Sequence, residues 1–334
     1  MTIREQIEAW EEKDLSPYAS LSSQSRGRDI PEEPCDIRPC YQRDRDRIIH
    51  CKSFRRLMHK TQVFYHPQGD HYRTRLTHTL EVSQNARSIA KALQLNEELA
   101  EAIALGHDLG HTPFGHSGEA ILNSLCVGGF KHNVQSVRVV EKLEKDGRGL
   151  NLTWEVRDGM LNHQTSTTPA TLEGKIVRYS DKIAYINHDI DDAIRAGLIA
   201  EEDLPDKTHQ LLGDTTRKRL NTLIHDVVEN SRGVNDIIMS TDIQDALWDL
   251  RSFMFKRVYK HARTVEQEEK TKRVLSRLFE YFMQYPEDMP ELYRRMMDQG
   301  TPRDRAVCDY ISGMTDQYAM NVFEDIFMPK SWTY

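Results

Sequence analysis

Histidine and aspartate side chains are concentrated between residues 50 and 190 of this 334-residue chain, which contains 14 His in total. Four of them have the types and spacing expected of a metal site: His78, His107, Asp108 and Asp181. Two imidazoles with two carboxylates suit a hard or borderline divalent cation, namely Mn, Mg, Fe, Co, Ni or Zn. Carboxylate-rich sites also keep water ligands, which a hydrolase needs. The set therefore predicts one divalent metal ion per site, with Mn or Mg favoured, and hydrolytic chemistry.

The adjacent pair His107-Asp108 restricts the secondary structure in which both side chains can bind one metal ion. Neighbouring residues of a helix point about 100° apart, so the pair can act together only at a helix end or in a turn. The sequence supplies such an end, because Asn96 is suited to be the N-cap of a helix from residue 97 to about 107. Gly106 and Gly110 flank the pair and are expected to give the chain flexibility there.

Asp181 lies within an apolar pattern that predicts one long helix from residue 172 to 194, ended by Gly197 in the C′ position. A charged aspartate inside such a helix is costly unless it is paired or bound to a metal. Polar residues follow it at helical spacing on the same face, and Lys182 lies beside it. We interpret this face as the lining of a site rather than as solvated surface; its members are Asp181, Tyr185, His188, Asp189 and Asp192.

Helical patterns cover most of the remaining chain, and no alternating run or hairpin signal predicts a strand. Further helical windows lie at about 214–230, 241–261, 265–285, 287–298 and 303–318. The fold class is therefore predicted to be all-α. We expect an irregular N-terminal arm over 1–40, a metal-binding core over 41–200, and a C-terminal helical region over 201–334 that packs on the core without folding independently.

Composition narrows the cellular setting and the partners. With 45 Lys+Arg against 52 Asp+Glu, the net charge is −7, so general nucleic-acid binding is not indicated. The stretch from Tyr41 to Lys60 is locally basic and predicts an anion site or a salt-bridged face. Without an apolar window of about 18 residues or an apolar leader, and with five scattered Cys, the chain is predicted to be cytoplasmic, with no membrane partner.

The motifs around the four metal-type residues resemble a known family. The order His78, His107-Asp108, Asp181 is that of the HD-domain metal phosphohydrolases, and the string HDLGHTPFGHSGE at 107–119 resembles the signature of the deoxynucleoside triphosphate triphosphohydrolases, the dGTPase-like branch. The likeness runs from about residue 40 to 320, through RDRDRIIH at 43–50, FRRL at 54–57, KTQVF at 60–64, RLTH at 75–78, DKIAY at 181–185 and DYISGMTD at 309–316. It implies an HD-domain helical bundle with additional C-terminal helices.

The resemblance also implies an activity and roles for particular residues. The expected reaction is hydrolysis of a dNTP, such as dGTP, to a deoxynucleoside and inorganic triphosphate by attack of water at the α-phosphorus. His78, His107, Asp108 and Asp181 would hold the metal, and His116 with Glu119 would form a catalytic pair. The substrate would be bound by Arg56, Arg75 and Lys182 at the triphosphate, by Tyr185 and Asp189 at the sugar, by Gln62 at the sugar 3′-hydroxyl, and by His111 and His132 near the phosphates.

Two alternatives remain open on the sequence. One is another HD phosphohydrolase, either a 5′-deoxyribonucleotidase or a cyclic-nucleotide or alarmone hydrolase, although the basic stretch 43–60 favours a polyphosphate substrate. The other is a non-enzymatic nucleotide sensor or nucleic-acid binder, against which the intact His116 and Glu119 argue. Some relatives need an activating dNTP or bind single-stranded nucleic acid, and both partners stay open here. Members of the family commonly form oligomers, which favours an even-numbered homo-oligomer.

Overall fold

The computed structural model describes residues 1–62 and 72–330 of the chain. Within these ranges the protein is all-α, as predicted: no strand is present, and the β-type pairing consists of one isolated bridge between Thr61 and Thr74. The last two residues of the KTQVF motif, Val63 and Phe64, lie outside the described residues. No helix in the described part of the chain combines the length and the apolar character needed to cross a membrane.

The helices follow one another along the chain, some of them joined by short 3-10 or π turns. Their bounds are α1 Ile3–Asp14, α2 Cys40–His50, α3 Lys52–Arg56, α4 Arg75–Ala92, α5 Glu97–Gly106, α6 Gly115–Leu125, α7 His132–Arg138, α8 Glu144–Gly147, α9 Trp154–Asn162, α10 Leu172–Arg195, α11 Asp206–Leu211, α12 Thr216–Ser231, α13 Thr241–Met254, α14 Ala262–Gln284, α15 Glu291–Asp298, α16 Arg303–Ser312 and α17 Asp316–Phe327.

Helices α4, α5 and α10 pack against one another and form the centre of the molecule, with α2 and α9 against α5. The apolar stripe of α10, which includes Ile176, Ile183 and Ile190, is fully buried in this packing. Burial of each such side chain stabilises the fold by about 1.5–3 kcal/mol. The packing therefore fixes the rotation of α10, and with it the direction of the polar face that contains Asp181.

Two of the predicted helix ends are confirmed in detail. The Asn96 side chain accepts hydrogen bonds from the backbone N–H groups of Glu98 and Leu99, each at 3.1 Å, and so caps α5. Gly197 adopts φ +67° directly after α10, a conformation that glycine adopts without steric cost. Helix α5 consequently ends at Gly106, immediately before His107-Asp108, and α10 runs one residue past the predicted end.

The apolar side chains form two clusters that do not divide at residue 200. The larger cluster contains residues of the central helices together with Leu223 of α12 and Leu250 of α13. The smaller one joins Leu122 of α6 to Leu278 of α14 and Ile311 of α16. The region after residue 200 therefore contributes to both clusters, and α6 packs with the C-terminal helices rather than with the centre.

Two expectations about secondary structure are wrong. The N-terminal arm is not irregular throughout, because α1 is stabilised by a capping box: Glu5 N–H donates to Thr2 Oγ1 at 3.2 Å, and Thr2 N–H donates to the Glu5 carboxylate at 2.8 Å. The window 303–318 is not one helix, because α16 ends at Ser312 and Thr315 begins a new helix by capping α17. In both places a local side-chain cap outweighs a weak periodic pattern.

Candidate metal centre and substrate cavity

The structure brings the four metal-type side chains together. His78 Nε2 lies 3.2 Å from Asp181 Oδ1 and 3.9 Å from Asp108 Oδ2. His107 Nε2 lies 3.6 Å from Asp108 Oδ1 and 3.9 Å from Asp181 Oδ1. Ligands bound to one ion at about 2.1 Å are separated by at most about 4.2 Å. All four distances meet this limit. Ligand atoms of His78, His107 and Asp108 all lie within 4.8 Å of one another and fit a single divalent cation, and Asp181 adjoins this set through the two histidines.

Three helices place these groups. His78 lies in the first turn of α4, His107-Asp108 directly follows α5, and Asp181 lies in the middle of α10. The role of Gly110 differs from the flexibility expected for it: a Cβ atom there would lie 2.1 Å from the backbone nitrogen of Ser136 on α7. Gly110 therefore allows the loop after the His-Asp pair to approach α7 closely, which holds the pair rigidly rather than loosely.

The electrostatics of the cluster favour a bound cation. The Nδ1–H of His107 donates to the Ala104 carbonyl at 2.6 Å, and within residues 1–62 and 72–330 the buried Nε2 has no hydrogen-bond partner. Burial by itself raises the pKa of Asp108, but His107 and Arg75 outweigh it and hold that pKa well below its usual range. Asp181 is likewise kept ionised, by His78 above all. Two carboxylates and a free imidazole lone pair therefore point at one position.

A cavity of about 980 Å³ opens beside this cluster. Its walls contain most of the residues that the resemblance assigns to metal, catalysis or substrate, namely His78, Asp108, Asp181, His116, Gln62, Arg75, His111, His132, Lys182, Tyr185 and Asp189. The Arg75 guanidinium is 2% exposed and donates to Asp108 at 2.7 Å through Nη1. Its Nε and Nη2 atoms have no hydrogen-bond partner among the residues that the structure describes. A buried cation with unused donors at a cavity wall is suited to bind an anion.

The predicted pair of His116 and Glu119 is looser than expected. His116 Nδ1 lies 3.5 Å from the Glu119 carboxylate, and the His116 side chain is 74% exposed. Glu119 is bonded more closely to His132, from which it accepts Nδ1–H at 2.9 Å and the backbone N–H at 2.8 Å. The group is therefore a set of three residues. Glu119 makes its closer hydrogen bonds with His132 and its longer contact with His116.

A strained turn presents His116 to the cavity. Phe114 and Gly115 both adopt left-handed backbone conformations, with φ +61° and +59°. The turn is held by Asp316 at the start of α17, which accepts the Phe114 N–H at 2.9 Å and the Thr61 N–H at 2.9 Å. The DYISGMTD motif carried no assigned role on the sequence, and the structure shows that its last residue positions the turn before His116.

Arg56 does not lie on the wall of this cavity, contrary to the role expected for it. Its guanidinium donates to Ser53 Oγ at 2.7 Å and lies 4.0 Å from Glu144. Together with Tyr293 it lines a separate cavity of about 120 Å³. Glu144 also accepts the backbone N–H groups of Lys52 and Ser53 at the start of α3, so Arg56 lies beside the acid that caps its own helix.

Among the residues of the cavity wall that sequence reasoning missed are His163, Arg251, Tyr259 and Lys260. The Tyr259 hydroxyl donates to the Asp189 carboxylate, and Tyr259 ends a π turn, an element that is frequent at functional sites. His163 lies beside His132, with their Nε2 atoms 3.2 Å apart. Only the general abundance of histidine before residue 190 pointed toward His163, and no local pattern singled out the other three.

Comparison with known families agrees with this geometry. Residues 75–186, which contain all four metal-type side chains, match the HD domain. Residues 237–325, which contain α13 to α16 and most of α17, match the phosphohydrolase-associated domain. The fold and the site thus define an HD-domain phosphohydrolase.

Relatives similar over the full length refine this class. A protein of Caldanaerobacter subterraneus subsp. tengcongensis is 59% identical over 332 residues, covering 99% of this chain and 98% of its own length. Proteins of Clostridium perfringens and Clostridium tetani are 51% and 49% identical, with coverage of 99% or more on both sides. All three are named deoxyguanosinetriphosphate triphosphohydrolase-like proteins. The chain belongs to this family.

Proposed function

We propose that this protein hydrolyses a deoxynucleoside triphosphate, with dGTP as the first candidate, to a deoxynucleoside and inorganic triphosphate by attack of water at the α-phosphorus. The observation that carries the proposal is Arg75, a buried side chain on the cavity wall that uses one donor on Asp108, while its Nε and Nη2 atoms have no hydrogen-bond partner among the described residues. An anionic group beside the metal cluster satisfies those donors. The names of the relatives point to dGTP.

In this proposal His78, His107, Asp108 and Asp181 hold a divalent cation, Mn or Mg. When bound, such an ion polarises a phosphate oxygen and lowers the pKa of its water. The donor set supports the assignment, because its carboxylates are ionised and its interatomic distances fit one ion. Asp108 also joins this set to the phosphate-binding wall, since it accepts the hydrogen bond from Arg75.

Positive groups around the cavity would neutralise the triphosphate. Lys182 and Arg251 line it together with Arg75. Burial and the nearby Arg178 lower the pKa of Lys182 to about 8, so its ammonium is still charged at neutral pH. His111 differs, because burial and the charge of Arg75 lower its pKa well below the usual range. His111 therefore acts as a neutral hydrogen-bonding group, and the arginines and Lys182 supply the charge.

His116 would donate a proton to the 5′-oxygen of the deoxyribose as the bond from that oxygen to the α-phosphorus breaks. The oxygen of the attacking water forms the new bond to phosphorus, so the triphosphate leaves intact. Glu119 would orient the imidazoles of His116 and His132. A positioned acid of this kind contributes about 10²–10⁴-fold to the rate.

The sugar would lie against Tyr185, Asp189 and Gln62. Gln62 is buried, and its side-chain oxygen has no hydrogen-bond partner in the described part of the chain, as expected for a group that accepts a hydroxyl hydrogen from a ligand. Burial raises the pKa of Asp189 to about 7, and the Tyr259 hydroxyl donates to this carboxyl group. A tyrosine packed against C2′ leaves no room for a 2′-hydroxyl, so ribonucleotides should be poor substrates.

Product analysis tests the proposal. The protein is incubated with each dNTP and with GTP in Mn²⁺ or Mg²⁺, and the products are separated by ion-exchange chromatography. Deoxynucleoside with intact triphosphate, from dNTPs but not from GTP, is the expected result. Release of pyrophosphate or of single phosphates would identify one of the other HD phosphohydrolases instead, and nucleotide binding without turnover would identify a sensor.

The assembly and setting of the enzyme are also part of the proposal. We expect an even-numbered homo-oligomer, as the family resemblance indicates, and a cytoplasmic setting, as the composition indicates. Light scattering coupled to size-exclusion chromatography measures the oligomeric state directly. Activation by a second dNTP and binding of single-stranded nucleic acid stay predictions, and each is measured by adding that ligand at a fixed substrate concentration.

A further inference from the structure

A buried lysine joins three segments that are far apart in sequence. Lys60 is 2% exposed, and its Nζ atom donates to the Ser312 carbonyl at 2.8 Å and to the His111 carbonyl. Its own carbonyl accepts the N–H of Arg75, the first residue of α4, at 3.1 Å. Lys60 therefore connects the start of α4, the loop after the His-Asp pair, and the end of α16.

The buried position of the Lys60 amine is unfavourable by itself, and two acceptors compensate for it. Burial and the nearby charges of Arg56 and Arg75 lower the pKa of Lys60 well below its usual range. Ser312 is the last residue of α16, where a helix leaves carbonyl groups without partners and its dipole favours a positive group. An amine has at least two hydrogens whether or not it is charged, so Lys60 can bond both carbonyls in either state.

One of these two carbonyls belongs to a residue of the cavity wall. The His111 side chain is buried, and its Nδ1 atom has no hydrogen-bond partner within the described ranges of the chain. Its ring stacks on that of His132, with centroids 4.4 Å apart and planes at 16°. The same ring lies edge-on to that of His116, at 5.1 Å. His111 therefore adjoins both imidazoles that lie beside Glu119.

The backbone around His111 is a loop, because α5 ends at Gly106 and α6 begins at Gly115. On one side the loop is bound to α7, where Gly110 N–H donates to Ser136 Oγ at 2.9 Å, and on the other side it is bound by Lys60. Loss of the second contact would let the His111 carbonyl move, and the imidazole with it. A displacement of about 1 Å at a positioned group can lower a rate by about 10²-fold.

We propose that Lys60 is a positioning residue for the reaction: by holding the His111 carbonyl against the end of α16, it keeps the His111 imidazole beside His132 and His116. The inference rests on the proposed function, because its effect is measured on that turnover. Lys60 does not line the cavity, so it acts through His111 and not on the substrate. This role is separate from that of Asp316, which holds the turn before His116.

Lys60→Met tests the contact, because methionine has a similar length and no donor. Its kcat for the dNTP should fall by about 10–10²-fold. The KM should change by less than about threefold, because Arg75 and Lys182 still neutralise the triphosphate. The Mn²⁺ content should equal that of the unmodified protein. Lys91→Met, which changes a largely exposed lysine of α4, is the control and should keep the kcat of the unmodified protein.

The double variant with His111→Ala separates positioning from stability. In that background the carbonyl at residue 111 remains and the imidazole is absent. Lys60→Met should therefore still lower the melting temperature there, but should change kcat by less than about twofold. Equal falls in kcat with and without the His111 imidazole would overturn the proposal, and so would an unchanged kcat in Lys60→Met alone.

Lys60→Gln replaces Lys60→Met if the methionine variant does not fold. Its amide keeps two N–H donors on a side chain that is one atom shorter, so a smaller fall in kcat is expected. That fall should again be present with the His111 imidazole and absent in His111→Ala. A fall of the same size in both backgrounds, or no fall in either, refutes the positioning role.

The two proposals fail separately. Triphosphate release, with independent effects of Lys60→Met and His111→Ala, would refute the positioning role and leave the proposed reaction standing. Release of pyrophosphate or single phosphates would refute the proposed reaction. The same four proteins, compared on the reaction that is observed, would then decide the role of Lys60. Nucleotide binding without any turnover would overturn both proposals.

Discussion

The two sides of the cavity are built in opposite ways. On one side, His78, His107 and Asp108 are almost completely buried and come from helices that pack directly on each other. On the other, His116 is 74% exposed and follows a left-handed turn that is supported by the Asp316 carboxylate and the Thr112 hydroxyl. The comparison suggests that the metal ligands are preformed, whereas the group assigned to proton transfer reaches its place through contacts that are easier to disturb.

The largest effect is expected from the buried side. Asp181→Ala should remove the metal and lower turnover by about 10⁴-fold or more, because a bound ion contributes several kcal/mol to charge stabilisation. Elemental analysis measures the loss of metal, and steady-state kinetics measures the loss of turnover as kcat. Asp191→Ala, on the same helix but not on the cavity wall, should retain metal and activity. Undiminished metal in Asp181→Ala would refute its role as a ligand.

His116→Ala should separate chemistry from metal binding. Turnover is expected to fall by about 10²–10⁴-fold, while the metal content stays unchanged. Because the side chain is largely exposed, the free energy of unfolding should change by less than about 0.5 kcal/mol. Steady-state kinetics and thermal unfolding measure both quantities. A rate like that of the unmodified protein would remove His116 from the mechanism.

Asp316→Ala tests whether the exposed side depends on its turn. The substitution leaves the buried N–H of Phe114 without its acceptor, which should lower the free energy of unfolding by about 1–3 kcal/mol. Turnover should fall by about tenfold through displacement of His116, with full metal content. Asp316→Asn keeps an acceptor oxygen and should recover part of both losses. If metal binding falls instead of turnover, the two sides are not independent.

A pH profile tests Lys182, which adjoins the metal side. Since its pKa is lowered to about 8, the ammonium loses its charge as the pH rises through 8. The KM for a dNTP should therefore rise by about tenfold between pH 7 and 9, in proportion to the lost charge. Lys182→Arg stays charged over this range and should flatten the profile. An unchanged slope in that variant would assign the effect to another group.

The smallest effect is expected at Arg56, which faces neither side of the cavity. Arg56→Ala should change kcat/KM by less than about twofold, because its half-exposed contact with Glu144 contributes little. Arg75→Ala is the matched comparison and should weaken dNTP binding strongly. A large loss of kcat/KM in Arg56→Ala would instead support the contact with the triphosphate that the family resemblance assigns to Arg56.

Helices and single residues of the site were predictable to different degrees. The long helix α10 and the cap at Asn96 followed from local patterns, since apolar periodicity and capping depend on residues near in sequence. The capping box of α1 and the break before α17 were missed because each depends on hydrogen bonds of a capping side chain rather than on a periodic pattern. The surroundings of Arg56, Glu119 and His163 could not be predicted from the sequence. They depend on the direction in which each side chain points, which is set by the packing of its helix.

The sequence was sufficient to predict an all-α protein and a likeness to the HD phosphohydrolases, because helical periodicity and contiguous motifs depend on residues that are close in sequence. Only the tertiary structure decided that Glu119 is bonded more closely to His132 than to His116. It also decided that Asp316 holds the turn at Phe114, 202 residues away in sequence, and that Asp108 lies between two sets of imidazoles. These are distances between parts of the chain far apart in sequence, and they are set by how the helices pack.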